Sequence, residues 1–153
     1  MAKPEHCPEC GAVLEPKKAR STRQHNRQFA IFEATFFHWP ETHVFRPKSK
    51  DHLRYWLVVQ AGKFDVIKTV RVRMVDPDEL AALLTAVLRT SKDDTLFVEA
   101  DADLIVVKRA HSIAFDKLTH SDACDLFDAI AEVIKVETGV EAERMLKEME
   151  AAA

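Results

Sequence analysis

The chain contains three glycines, at positions 11, 62 and 139. So few residues that are at ease at positive φ leave little room for tight turns and point to long helical stretches. They also argue against glycine-rich phosphate loops. Two of the three stand where a helix would stop. Gly62 follows an apolar pattern over 50–61, and Gly139 follows one that begins near Thr119. The third, Gly11, follows the Cys7-Pro8-Glu9-Cys10 pattern.

Helix starts are equally marked. Ser21 reads as the N-cap of a helix from about Thr22 to His38, with Phe29, Phe32, Phe36 and Phe37 at helical spacing and Ile31 and Ala34 beside them. Pro40 ends it. Ser49 caps a helix over Lys50–Ala61 carrying Leu53, Trp56 and Leu57 on one side. Asp76-Pro77-Asp78-Glu79 is a helix start with its cap, its proline and its acidic first turn, leading to a helix that ends near Thr90. Thr119 and Asp122 open another, whose apolar side is Cys124, Phe127, Ile130, Ile134 and Ala131. A last, charged helix spans about Glu141–Glu150.

Between these, the period drops to two. Residues 63–75 alternate, with Phe64, Val66, Val70, Val72 and Met74 expected on one face and Asp65, Thr69, Arg71 and Arg73 mostly on the other. Leu96–Val98 and Leu104–Val107 read as a hairpin around residues 101–103. The expected fold is therefore α+β: several amphipathic helices around a small, mostly antiparallel sheet. Residues 1–20, with three prolines and the CxxC, read as a short arm ahead of a single domain over 21–153.

Charge is sorted by sequence half. Residues 1–75 carry 14 Lys+Arg against 7 Asp+Glu, whereas residues 76–153 carry 8 against 18. The basic half suggests a polyanion partner, because Lys and Arg displace counterions from phosphates. Lys17, Lys18, Arg20, Arg23 and Arg27 run through the arm into the first helix. Arg46, Lys48, Lys50 and Arg54 run through the next loop into the second, and Arg71 and Arg73 follow on the strand. If they converge, they track a backbone without reading bases. Phe45, between basic residues in a loop, is the candidate for stacking on a base, with Tyr55 and His43 behind it.

Cys7 and Cys10 have the spacing of half a zinc knuckle, with His6 and His25 as the candidates to complete it, ahead of His38 and His43. A second chain is another source of the missing ligands. Cys124 reads as a core thiol. No apolar run approaches a membrane span, and no apolar stretch follows the first residues, so a cytoplasmic chain is expected.

The stretches Leu53-Arg54-Tyr55-Trp56-Leu57-Val58-Val59-Gln60-Ala61-Gly62 and Ser112-Ile113-Ala114-Phe115-Asp116-Lys117-Leu118, with Arg23–Phe29 before them and an acidic amphipathic helix after, resemble a family of small bacteriophage and prophage proteins. Over roughly residues 20–138 the layout is similar to the lambda Orf (NinB) recombination-mediator family. That resemblance implies a homodimer that binds single-stranded DNA in the host cytoplasm and works with the host single-strand-binding protein in recombination or replication. The CxxC head departs from the lambda-type pattern.

Two rival readings follow from the residues. Asp93, Asp94, Glu99, Asp101, Asp103 and the Asp122/Asp125/Asp128/Glu132 helix face would suit an acidic inhibitor or adaptor of a host nuclease or defence complex. His25, Asn26, His38, Glu41, His43, Asp51 and His52 are the types a metal-dependent nuclease uses, but no catalytic spacing is recognisable among them, so a non-catalytic protein is expected. The last helix carries Met145, Leu146 and Met149 as a narrow apolar stripe, expected to pair with a second copy.

Overall fold

A computed structural model describes residues 22–113 and 118–152. Its elements run α1 (Thr22–Phe37), α2 (Lys50–Gln60), β1 (Phe64–Arg71), α3 (Pro77–Arg89), β2 (Leu96–Asp101), β3 (Leu104–Ala110), α4 (His120–Thr138) and α5 (Ala142–Ala152). The fold is α+β, with five helices and one three-stranded antiparallel sheet among the described residues. Two compact units divide the chain: Met1–Arg46 with Ser112–Ala153, and the continuous segment Pro47–His111. The second unit is inserted in sequence between the two segments of the first.

Local chemistry sets the helix ends. The Ser49 hydroxyl accepts from His52 N–H, the Asp76 carboxylate from Asp78 N–H and the Thr119 hydroxyl from Asp122 N–H. Pro77 occupies the first turn of α3, where its missing N–H costs nothing. Gly139 ends α4 at φ 73° with its N–H on the Lys135 carbonyl.

In the first unit, α5 packs on α1 and α4. The buried row of α1 is Gln28, Ile31, Phe32 and Thr35, with Ala34 beside it. The phenylalanine stripe expected from the sequence is rotated: Phe32 is buried, Phe29 and Phe36 are half-buried and Phe37 is 73% exposed. Two polar residues complete the true stripe because each is satisfied inside it. Gln28 Nε2 donates to the Ala123 carbonyl at 3.3 Å, and the Thr35 hydroxyl to the Ile31 carbonyl at 2.8 Å. From α4 come Ala123, Leu126, Phe127, Ile130 and Ile134, whereas Cys124 is half-buried. Met145 and Leu146 of α5 are 1% and 5% exposed. The apolar side of α5, expected to await a partner copy, is closed within its own unit.

In the second unit the strand order is β1-β3-β2. A hairpin turn at Ala102, φ 53°, joins β2 to β3, and β1 pairs antiparallel with β3 as an edge strand. The register slips between Val66 and Lys68, so Ile67 is an extra residue. That bulge changes which side chains share a face. Val66 stands in the row of Lys108 and Phe97, while Val70 stands in the row of Ile105 and Ala100. Phe64, Val66, Val70, Val72 and Met74 therefore do not form one apolar face; Phe64 and Val66 side with Thr69 and Arg71. α2 lays His52 on Phe97, the rings stacked 5.5 Å apart, on one face of the sheet. α3 runs along β2 and β3, covering the opposite face, where Ile105 is buried.

Candidate nucleic-acid interface

The cations expected to bind phosphate fall in both units. Arg23, Arg27 and Arg46 belong to the first unit, and Lys48, Lys50, Arg54, Arg71 and Arg73 to the second. Lys17, Lys18 and Arg20 lie outside the described residues, as do Cys7, Cys10 and His6.

Four of these cations are held in ion pairs. Arg27 on α1 reaches Glu143 on α5 at 2.7 Å. Lys48 sits 2.6 Å from Asp94 and donates to the Ser91 carbonyl at 3.0 Å, tying the start of α2 to the turn before β2. Arg54 is 3.4 Å from Asp51 on its own helix and lies over the Tyr55 ring at 4.6 Å. Arg71 meets Asp103 at 2.9 Å, with both side chains half exposed. Arg54 and Lys48 are the least exposed of these paired cations, and Lys48 clips two loops together. Arg23, Arg46, Lys50 and Arg73 are exposed.

The sequence reading missed Lys68. It stands exposed on β1, next to the bulge, and with Arg73 carries no ion pair among the described residues. As a lysine in an alternating strand it is one of the 14 cations of residues 1–75, and only its exposed place beside the bulge sets it apart. From Asp65 to the end of β1 every side chain is exposed, with Lys68 on the Ile105 side of the sheet and Arg71, paired with Asp103, on the Lys108 side.

Phe45 is half-buried. Its ring makes an edge contact with Trp39 at 6.3 Å, its carbonyl accepts from the Trp39 indole N–H at 2.9 Å, and its own N–H donates to His43 Nδ1 at 2.9 Å. The residue chosen for base stacking is thus built into a loop cluster.

His25, His43, His52 and His111 are likewise held in contacts, whereas His38 is exposed. His43 Nδ1 accepts from a backbone N–H, so its proton lies on Nε2, which faces Glu137 Oε2 at 2.5 Å. A general base needs a lone pair aimed at substrate, and both ring nitrogens here are spent inside the loop cluster. His52 Nδ1 accepts from Lys48 N–H at 3.0 Å. Burial, then the nearby Lys48 ammonium, pushes the His52 pKa down to about 4, so the ring is neutral at pH 7. The His25 ring lies against Phe29, tilted by 38° with centroids 4.5 Å apart. His111 pairs with Asp65 at 3.0 Å. Among the described residues no group of three or more His, Cys, Asp or Glu gathers as a metal site.

On the acidic side, Asp122, Asp125, Asp128 and Glu132 are all exposed along α4, an arc about 15 Å long at 1.5 Å per residue. Asp93 is pulled below the usual carboxylate range by the Thr95 hydroxyl and N–H bonds. Lys135 is raised by its bond to Glu141. The charge sorting by sequence half does not survive folding. Residues 47–111 carry 11 Lys+Arg against 10 Asp+Glu, and the rest of the chain 11 against 15.

No described helix is long and apolar enough to cross a membrane. Compared with protein-family models, with curated proteins and with solved structures, the chain matches none.

Proposed function

We propose that this is a non-catalytic nucleic-acid-binding accessory protein, favouring single strands, of the kind phage recombination or replication uses. The observation that carries this reading is the β1 edge, where Lys68 and the following Arg73 are exposed and carry no ion pair among the described residues. Cations so placed neutralise a phosphate backbone without base contacts. The resemblance to the lambda-type family adds single-stranded DNA and the host single-strand-binding protein as partners in the host cytoplasm. The Cys7–Cys10 pair adds zinc. Metal analysis of chain purified without chelator checks that part, with about one zinc per chain or per dimer expected and only traces counting against it.

Fluorescence anisotropy of a labelled single-stranded oligonucleotide across a salt series tests the binding. Lys68→Ala and Arg73→Ala should each lower the slope of log affinity against log salt by roughly 0.7. An affinity that ignores salt would overturn the reading. The exposed α4 arc supports a second reading, an acidic surface for a basic protein partner. Failure of the wild type to bind either single- or double-stranded DNA at low salt would favour it.

A further inference from the structure

Strand β1 pairs on one side only. In the order β1-β3-β2 its other edge has no strand beside it among the described residues. Val72 N–H donates to the Asp103 carbonyl at 2.8 Å, and antiparallel bonding alternates along the strand, so Val70 and Lys68 also bond inward to β3. The N–H and C=O groups of Thr69 and Arg71 therefore point away from the sheet. A row of this kind is a template for another extended strand.

The side chains along the edge say what kind of strand it suits. Residues 66–75 hold Lys68, Arg71 and Arg73 and no carboxylate. Arg71 already meets Asp103, whereas Lys68 and Arg73 carry no ion pair among the described residues. Between the cations, Val66, Ile67 and Val70 are 54%, 50% and 43% exposed. A phosphate backbone neutralises the cations and leaves these three side chains in water. A peptide strand can cover them and neutralise the cations as well.

The same strand of a second copy does not fit, because it would bring three cations against three, and like charges across a ladder repel. The bulge at Ile67 and the lysine beside it are also devices that keep an edge from pairing with itself. Charge complementarity selects an acidic strand instead. Lys68 and Val70 lie two residues apart and share a face, so the matching strand carries a carboxylate two residues from an apolar side chain.

We propose that the open edge of β1 takes an extended acidic segment of another protein as an added strand. Thr69 and Arg71 supply the ladder bonds, Lys68 meets a carboxylate, and Val70 meets an apolar side chain. This goes beyond the nucleic-acid reading, which uses the cations alone, and it stands or falls without it.

A nuclear magnetic resonance titration of the isotope-labelled full chain, free of nucleic acid, tests the proposal. The probe is the blocked peptide acetyl-Thr-Glu-Thr-Val-Thr-Glu-Thr-amide, whose valine has a carboxylate two residues away in either direction. The Thr69 and Arg71 amide signals should shift and saturate, and those of α4 should stay still. Thr69→Pro should abolish the shifts, because it removes an outward N–H at a place where an edge strand tolerates proline. Thr69→Val keeps that N–H and should bind as the wild type does. If Thr69→Pro misfolds, charge reversal decides. Lys68→Glu should weaken the acidic probe by roughly two- to fivefold and favour a probe with lysine in place of glutamate. No saturable shift at millimolar peptide, binding undiminished in a folded Thr69→Pro chain, or a lysine probe that the wild type binds as well as the acidic one would overturn the proposal.

Discussion

Helices α3 and α5 are both short, amphipathic and charged at their exposed faces, yet one is closed and the other open. α5 puts Met145 and Leu146 into the core of its own unit, against α1 and α4. α3 leaves Leu83 and Val87 in solvent. Amphipathicity says that a helix has a side to bury; it does not say what covers it. The narrow stripe of α5 fits one neighbouring surface. The wide arc of α3 exceeds its sheet.

The largest test of that contrast is truncation. Leu146→Ala should cost about 2–5 kcal/mol in unfolding free energy, because a cavity forms where no water enters. Leu83→Ala should change the stability of the single chain by no more than about 0.5 kcal/mol. Denaturant unfolding at submicromolar concentration measures both. Equal losses would erase the distinction between the helices.

The next effect is acid sensitivity in the second unit. The folded-state pKa of His52, about 4, lies below its unfolded value of 6.5, so the unfolded chain takes up the proton first. Stability should therefore be constant above pH 6.5 and fall as pH drops from there towards 4, by about 2–3 kcal/mol from this group. His52→Gln should flatten that part of the curve in urea titrations at several pH values. A curve unchanged by the substitution would contradict the buried neutral ring. Smaller again are the caps. Thr119→Ala should cost about 1 kcal/mol by removing the bond to Asp122 N–H, and thermal melting checks it.

The helix ends were legible because capping is a matter of three or four adjacent residues. Ser49, Asp76, Thr119 and Gly139 each do what their type and position dictate. The hairpin at residues 101–103 was legible for the same reason. The bulge at Ile67 was not, since an extra residue leaves the composition of the strand unaltered and changes only its pairing with β3. Nor was the rotation of α1, where Gln28 and Thr35 become core residues through bonds the sequence does not display. For the candidate site, the list of cations was readable, but their occupancy was not. Lys48 is locked by Asp94, 46 residues away, and Arg27 by Glu143. The charge division between sequence halves dissolved because the second unit is inserted into the first.

Hydrogen–deuterium exchange of the full chain at submicromolar concentration compares the two helices in one experiment. Amides of α5, whose apolar side is closed by its own unit, should exchange more slowly than those of α3, whose outer side is open. Equal exchange in the two helices, or slower exchange in α3, would contradict the contrast.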